Sequence, residues 1–313
     1  MSEANQKQAV LLIAHGSPDR VEEIPEFLRN VTGGRPLPDT VIEEIKHRYG
    51  LIGCSPLTCH TMDQADGVRR ELGIPVYIGM RNWKPFIGDT VKQMAADGVT
   101  RAVAICLAPQ NSRTSVGLYK TALLGEAGEA PFAIDFVEHW HDNPLLIRAF
   151  AEKFTEGRER ARREAGTTVP VIFTAHSVPQ RTIADGDPYE AQARETAALV
   201  ARAVGLADED WGFAFQSQGM SGGAWLGPTV EETILRLREK GHSGVFIQPI
   251  GFVCDHVEIL YDIDIAFRKF AEEHGMRLWR ADSLNDSPTF AAAVADVART
   301  RLQLRNIVPA ERV

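Results

Sequence analysis

Two stretches decide the fold: VLLIAHGSPDR at residues 10–20, and its echo VIFTAHSVPQR at residues 171–181. Each begins as a short apolar run of the kind that suits a strand buried on both faces. Each run then stops at a histidine followed by small residues and a proline, His15 in the first and His176 in the second. A chain of 313 residues has room for about two domains. The two echoes, about half the chain apart, read as the opening strands of two equivalent units.

Further strands are expected at Val76–Ile78, Ala102–Leu107 and Phe132–Val137, then at Gly212–Phe215, Val245–Pro249 and Met276–Arg280; the two opening strands are Val10–Ala14 and Val169–Thr174. Segments between them, such as TVKQMAADGV and TVEETILRLREKG, carry apolar residues at helical spacing, and the second ends in a Lys-Gly stop signal. This alternation predicts an α/β fold: two similar three-layer units with parallel sheets, facing each other across a cleft. The polar stretch TEGRERARREAGTT (155–168) marks the expected boundary. It divides the chain into an N-terminal domain, 1–160, and a C-terminal domain, 161–313, with the last helix free to pack back on the first domain. Ligands of open α/β sheets sit beyond the carboxyl ends of the strands, where both histidines fall.

The formal net charge is -8, with 44% hydrophobic and 24% charged residues. No run of Lys or Arg tracks a nucleic-acid backbone, so a nucleic-acid partner is not expected. No apolar stretch approaches the roughly 20 residues of a membrane span, and MSEANQKQAV lacks the regions of a signal peptide. Four scattered cysteines fit a reducing compartment, and the expected location is cytoplasmic. GCSPLTCH matches no common zinc pattern, and no cysteine set suits an iron–sulfur cluster. The end of the chain, LQLRNIVPAERV, offers no obvious dimerisation segment, so a monomer is expected.

A single histidine after a strand is more often a cap or a satisfied core group than a functional one. Two at matching places in a repeat, both aimed at one cleft, favour function. The densest cluster of chemistry is GFVCDHVEILYDIDIAF (251–267), with Asp255, His256, Glu258, Asp262 and Asp264 within ten residues. A helix starting near His256 would set Glu258 and Asp262 four apart on one face, able to pass on protons or a hydrated divalent cation. A solvated first turn is the plainer alternative, but the flanking IGFV and EILY are apolar, which favours function. IGMRNWKPFIGD (78–89) and FQSQGMSGGAWLGPT (215–229) mix large apolar side chains with cations or glycines. Such mixtures suit a flat apolar ligand with anionic edges, or equally a packed core with snorkelling cations. The loops NSRTSVGLYK and SVPQRTIADGDPY add Ser112, Arg113, Tyr119, Asp185, Asp187 and Tyr189 at strand ends.

Taken together, SPLT, GMRNWKPFI, LAPQNS, FTAHSVP, GDPYEAQ, FQSQ, WLGPTVEETI, PIGFVCDHVEILYDID and SLND resemble the ferrochelatase family, in that family's order and spacing, from about residue 9 to about residue 297. The resemblance implies two flavodoxin-like (Rossmann-like) domains of the chelatase fold, with a porphyrin held between them and Fe2+ inserted into it in haem biosynthesis. It implies His176 and Glu258 as the catalytic, metal-handling pair, and Asp262 continuing the acidic line. Asp255 and His256 support them from behind. Arg48, Ser55 and Tyr119 lie where relatives that use coproporphyrin place side chains near propionates, and Arg29 and Arg35 lie in the corresponding early loop. Arg81 and Trp225 complete the expected substrate contacts. Iron enters as substrate, haem leaves as product, and no permanently bound cofactor is expected.

One position departs from the pattern. His15, in AHGSP, stands where many relatives carry other residues, and HGS after a first strand is similar to sirohydrochlorin cobaltochelatases and ferrochelatases, in which this early histidine is associated with metal. The expected substrate is coproporphyrin III, because the loop PEFLRNVTGGRPLPDTV (25–41) has little apolar character and a tetra-anionic ring arriving from water needs cationic rim residues. Protoporphyrin IX is the next candidate. A sirohydrochlorin chelatase and a non-catalytic porphyrin- or haem-binding protein are the other readings.

Overall fold

The structure, a computed structural model, describes residues 7–128, 130–218 and 223–304. The terminal stretches used above for targeting and dimerisation fall partly outside these residues, as does the centre of the Gly-rich loop at 219–222.

The strands are β1 (Gln8–Ala14), β2 (Val76–Met80), β3 (Arg101–Cys106), β4 (Ala133–Val137), β5 (Val171–His176), β6 (Trp211–Gln216), β7 (Gly244–Pro249) and β8 (Arg277–Arg280). They form two four-stranded sheets, in the orders β2-β1-β3-β4 and β6-β5-β7-β8. Every pairing is parallel. The same order therefore occurs twice, and each sheet's opening strand lies between its second and third. That is the topological switch point of a doubly wound sheet, where connections leave toward opposite sides and open a crevice. His15 follows β1 directly and His176 is the last residue of β5. β5 starts at Val171 rather than Val169 because Pro170 has no N–H to give to a ladder.

The largest apolar cluster draws on both halves: Val10, Leu12 and Val103 from the first sheet, Phe173, Phe215 and Phe246 from the second. Two helices carry it across. The helix Pro288–Leu302 packs on the helix Leu57–Leu72 and on β3, both in the first half. The helix Pro144–Ala165 packs on β7, β8 and the helix Tyr189–Ala203 of the second. The polar stretch 155–168 is the end of that helix and its turn at Gly166, so residue 160 lies within a helix. Its charged residues ride one face while Phe154, Gly157 and Ala161 are buried on the other. Gly157 is required there, since a Cβ would lie 3.0 Å from the Cα of Ala281.

Polar clasps also join the halves. Arg113 pairs with Asp185 at 2.7 Å, its backbone N–H donates to Asp187 at 2.7 Å, and the Ser112 hydroxyl donates to the same carboxylate at 3.2 Å. Gln64 donates to the carbonyls of Val253 and Asn285 at 3.2 and 3.0 Å. A helical pair, Ile24–Val31 and Asp39–Leu51, rises between β1 and the helix Leu57–Leu72. It has its own core of Ile24, Phe27, Leu28, Tyr49 and Trp83, against which Val257 of the second half packs. Among the described residues no helix is long and apolar enough to cross a membrane.

Candidate active site between the two sheets

His176 is oriented from three sides. Its Nδ1 makes a short hydrogen bond to the Ser177 carbonyl, and its own carbonyl accepts from the Tyr189 hydroxyl at 3.0 Å. Behind it, Gly251 approaches so closely that a Cβ would lie 2.9 Å from the Ala175 Cβ. The remaining ring nitrogen, Nε2, faces Glu258 Oε2 at 3.4 Å, with each side chain about one-third exposed, 34% and 32%. That carboxylate oxygen is itself buried and has no hydrogen-bond partner.

Glu258 belongs to a one-turn helix, Val257–Leu260, whose backbone is held to β6 by Gln216 Nε2 donating to the Glu258 carbonyl at 2.9 Å. From Asp262 to Phe267 the chain continues as a π-helix. This wider turn resets the phase of the residues after it, and π segments of this kind are frequent at functional sites. Asp262 accepts a short hydrogen bond from Ser217, a residue with positive φ. Burial pushes the Asp262 carboxyl up to about 6; the Ser217 bond opposes that rise and the nearby charge of Glu258 adds to it.

The other members of the acidic cluster turn elsewhere. Asp264 takes a bidentate pair from Arg280, both contacts at 2.8 Å. Asp255 accepts from Ser283 at 2.7 Å and Asn285 at 2.9 Å, and lies 3.3 Å from the same guanidinium. Burial works against the Asp255 charge, but Arg280 and the two hydrogen bonds hold its carboxyl below the usual range. Asp255 and Asp264 thus anchor the turn to β8 and to SLND. His256 stacks edge-on against Phe252 at 4.5 Å, its Nδ1 is buried without a partner, and burial lowers its pKa.

His15 faces this set from the first sheet. Its ring is walled by protein yet its surface opens to the cleft. Burial lowers its pKa to about 4, opposed by the charge of Glu258 and assisted by Arg81, His256 and His176. The ring packs edge-on against Phe27 at 5.9 Å, with Asn82 Nδ2 3.2 Å from its Nδ1. Asn82 is buried, donates its backbone N–H to the His15 carbonyl at 3.0 Å, and accepts from Asn30 at 3.1 Å. The next residue, Gly16, has φ of +85°, and a Cβ there would lie 2.8 Å from the Trp83 nitrogen.

The expected substrate contacts divide into two groups. Arg81 lies close enough for its charge to act on both His15 and Tyr119. Tyr119 is buried, which, with the charges of Cys106 and Glu258, raises its phenol well above the ordinary value. Arg48 reaches the second half, its guanidinium 5.0 Å from the centre of the Tyr261 ring. Ser55 is buried at the start of the helix Leu57–Leu72, where its hydroxyl accepts from Leu57 N at 3.4 Å. Trp225 is half-buried and bridges to Pro179, three residues beyond His176. Arg29, on the first helix of the pair, and Arg35, in the connection between the two helices, stay exposed, Arg35 turned back onto the Thr32 carbonyl at 3.2 Å.

Met80 and Trp83 are core, 0% and 3% exposed, which resolves the mixed composition of IGMRNWKPFIGD toward packing at those positions. Cys59 is exposed and Cys54 half-buried, and all four cysteines are free. Sequence reasoning passed over Tyr49, which is buried, shares a 3.2 Å hydrogen bond with Ser17 and feels the charge of Glu258. It also passed over Asn82, Ser217 and Arg280. Asn82 carried a signal in its place inside RNWKP, and Ser217 in its place inside FQSQ.

Comparison with known proteins decides the family: the model named Ferrochelatase matches residues 7–302. This chain belongs to the ferrochelatase family. The ferrochelatase of Acidobacterium capsulatum is 55% identical over 311 residues, covering 95% of each chain. The coproporphyrin III ferrochelatase of a Geobacillus species is 34% identical, covering 96% of this chain and 100% of the relative. A solved structure of the sirohydrochlorin chelatase SirB from Bacillus subtilis superposes with a TM-score of 0.60 at 12% identity, over 95% of this chain and 96% of that one, and shares the fold. The chain is a metal chelatase of the lyase class that inserts iron into a porphyrin in haem biosynthesis.

Proposed function

We propose that this ferrochelatase uses coproporphyrin III, with His176 and Glu258 as the groups that take the pyrrole protons and hand over Fe2+. The observation that carries the reading is the 3.4 Å gap between His176 Nε2 and the unpartnered Glu258 Oε2. With its Nδ1 proton committed to Ser177, His176 presents a lone pair at Nε2. Two acceptors facing one another suit a proton or a cation between them.

Insertion exchanges one Fe2+ for two pyrrole protons, so the site must accept both. His176 Nε2 takes one and Glu258 the other. Asp262, held near the middle of the titration range, is suited to receiving a proton from Glu258 and releasing it. His, Glu and Asp hold Fe2+ without the retention of a thiolate cage, which favours transfer. His15, neutral above about pH 4, offers a lone pair from the opposite sheet. Asp255 and His256 act as positioning residues for the Glu258 turn.

Coproporphyrin III carries four carboxylates; Arg81, near Tyr119, and Arg48, on release from its 2.9 Å pair with Glu44, are offered as cationic partners, with Ser55 and Trp225 as further contacts. Arg29 and Arg35 serve as outer attraction from the exposed helical pair. In the helical pair the one large hydrophobic side chain exposed among the described residues is Leu51, at its end, and the loop 25–41 exposes none, which suits a substrate arriving from water. The name of the Geobacillus relative points the same way. The protein acts as a monomer in the cytoplasm, without a resident cofactor.

The test is iron insertion with coproporphyrin III, protoporphyrin IX and sirohydrochlorin under one set of conditions. Coproporphyrin III is expected to give the highest kcat/KM, by about tenfold or more over protoporphyrin IX, on the scale of one or two lost charge-assisted contacts. Equal or better use of protoporphyrin IX overturns the substrate assignment.

A further inference from the structure

We propose that His139, His141 and Asp142 form a second divalent-metal site, separate from the cleft, for a borderline ion such as Zn2+ or Co2+. The three lie in the loop after β4, and the ligand atoms they offer are within 4.8 Å of one another. His139 and Asp142 are exposed while His141 is 4% exposed.

The second observation is the state of His141. Its Nε2 lies 2.9 Å from Glu195 Oε2, on the helix Tyr189–Ala203. Its other ring nitrogen, Nδ1, is buried and has no partner. A buried polar atom left unpaired is destabilising, so an orphan of this kind calls for an explanation. A carboxylate that takes the Nε2 proton fixes the tautomer with a lone pair on Nδ1. Carboxylate, histidine and metal in that sequence are the usual support of a metal-bound imidazole.

The loop is held in place. Trp140, between the two histidines, is buried and donates Nε1–H to the Cys106 carbonyl at 2.9 Å. The His141 carbonyl accepts from Thr196 at 3.1 Å, and Gln110 ties Thr196 to the Ile250 carbonyl. The rings of His139 and His141 sit 5.3 Å apart at 51°, close enough to turn toward a common point. Two imidazoles and one carboxylate make an N2O set with open positions for water. That set favours Zn2+, Co2+ or Fe2+ over the harder Ca2+ and Mg2+.

The experiment titrates the full-length chain carrying Glu258→Gln, which weakens the cleft as a metal site, with Co2+ followed by visible absorption and with Zn2+ followed by calorimetry. One equivalent is expected to bind with imidazole-type spectral features. His139→Ala and Asp142→Asn, both at exposed positions, are expected to weaken it about tenfold or more, and Glu195→Gln by a comparable factor through His141. In the otherwise native chain, the His139 and Asp142 variants should insert iron within about twofold of wild type, which distinguishes loss of this site from failure of the cleft assignment. Absence of a stoichiometric equivalent in the Glu258→Gln chain overturns the proposal. So does an equivalent that survives both His139→Ala and Asp142→Asn with unchanged affinity.

Discussion

His176 Nε2 and Glu258 Oε2, both from the second half of the chain, face each other at 3.4 Å without closing a hydrogen bond, while His176 Nδ1 is engaged by the Ser177 carbonyl. The pair is oriented from behind and unsatisfied in front, as a group poised for a proton or a cation should be. Glu258→Gln removes the charge and supplies an amide N–H that can donate to Nε2 and fill the gap. Iron insertion is expected to fall by about 10²–10⁴-fold, the range for losing a positioned acid–base group, with porphyrin affinity changed only a few-fold. Fluorescence titration with a metal-free porphyrin separates binding from turnover, and insertion within a few-fold of wild type removes Glu258 from the chemistry.

Asp262 trades stability for function. Its folded pKa of about 6 stands above the ordinary 3.8, so between those values the folded chain holds a proton that the unfolded chain has released. The stabilisation from that proton is complete below about pH 4 and is lost as pH rises through 6. Two units at 1.36 kcal/mol each set an upper bound of about 3 kcal/mol, and partial exposure to solvent reduces it to about 1 kcal/mol. In the metal-free chain, Asp262→Asn should therefore melt above wild type at pH 7, with the difference shrinking as pH falls from 6 to 4. A difference that does not vary with pH contradicts the assignment; iron insertion by the same variant is expected to slow.

Arg280 holds two carboxylates at once, Asp264 at 2.8 Å and Asp255 at 3.3 Å, with only 10% of its side chain exposed. Removing one partner of a buried ionic group leaves charge uncompensated, at a cost of about 3–5 kcal/mol. Arg280→Leu should lower the unfolding free energy, measured by urea titration, by an amount on that scale. The Asp255→Asn/Arg280→Leu double variant should recover part of it, since one of the stranded charges is then gone. A cost below about 1 kcal/mol for the single change shows that the anchor is weaker than its geometry implies.

The repeat was readable because it is written locally. Two apolar runs each stop at a histidine, and strand direction alone sends both to one edge of the fold. Glu258 and Asp262 were readable because acids between apolar residues stand out against a solvated helix start. The fates of Asp255 and Asp264 were not, since their partner Arg280 lies on β8 and only sheet packing brings it near. Tyr49, in the last turn of its helix and without a motif, meets Ser17 only through the fold. The stretch 155–168 reads as a boundary because half of its residues are charged, yet Gly157 and Ala161, with Phe154 just before them, are buried at helical spacing. Long-range pairing, more than local propensity, is what a single sequence conceals.

His15 provides the last test. Its pKa of about 4 keeps the imidazole neutral throughout the physiological range, and Asn82 with Phe27 restrains the ring at the end of β1. A neutral, oriented imidazole opposite His176 is a candidate axial ligand for iron in the product, so visible and resonance Raman spectra of the haem-bound protein should carry a nitrogen-ligand signature. His15→Ala should abolish that signature or replace it with one from water or His176. Asn82→Ala should shift it while preserving nitrogen ligation, because the ring loses its support and keeps its lone pair. Release of product should quicken in His15→Ala if the bond forms, measured as transfer of haem to a haem-binding acceptor in excess. Identical spectra for wild type and His15→Ala, with unchanged transfer rates, exclude His15 from the iron and leave it as a wall of the cleft.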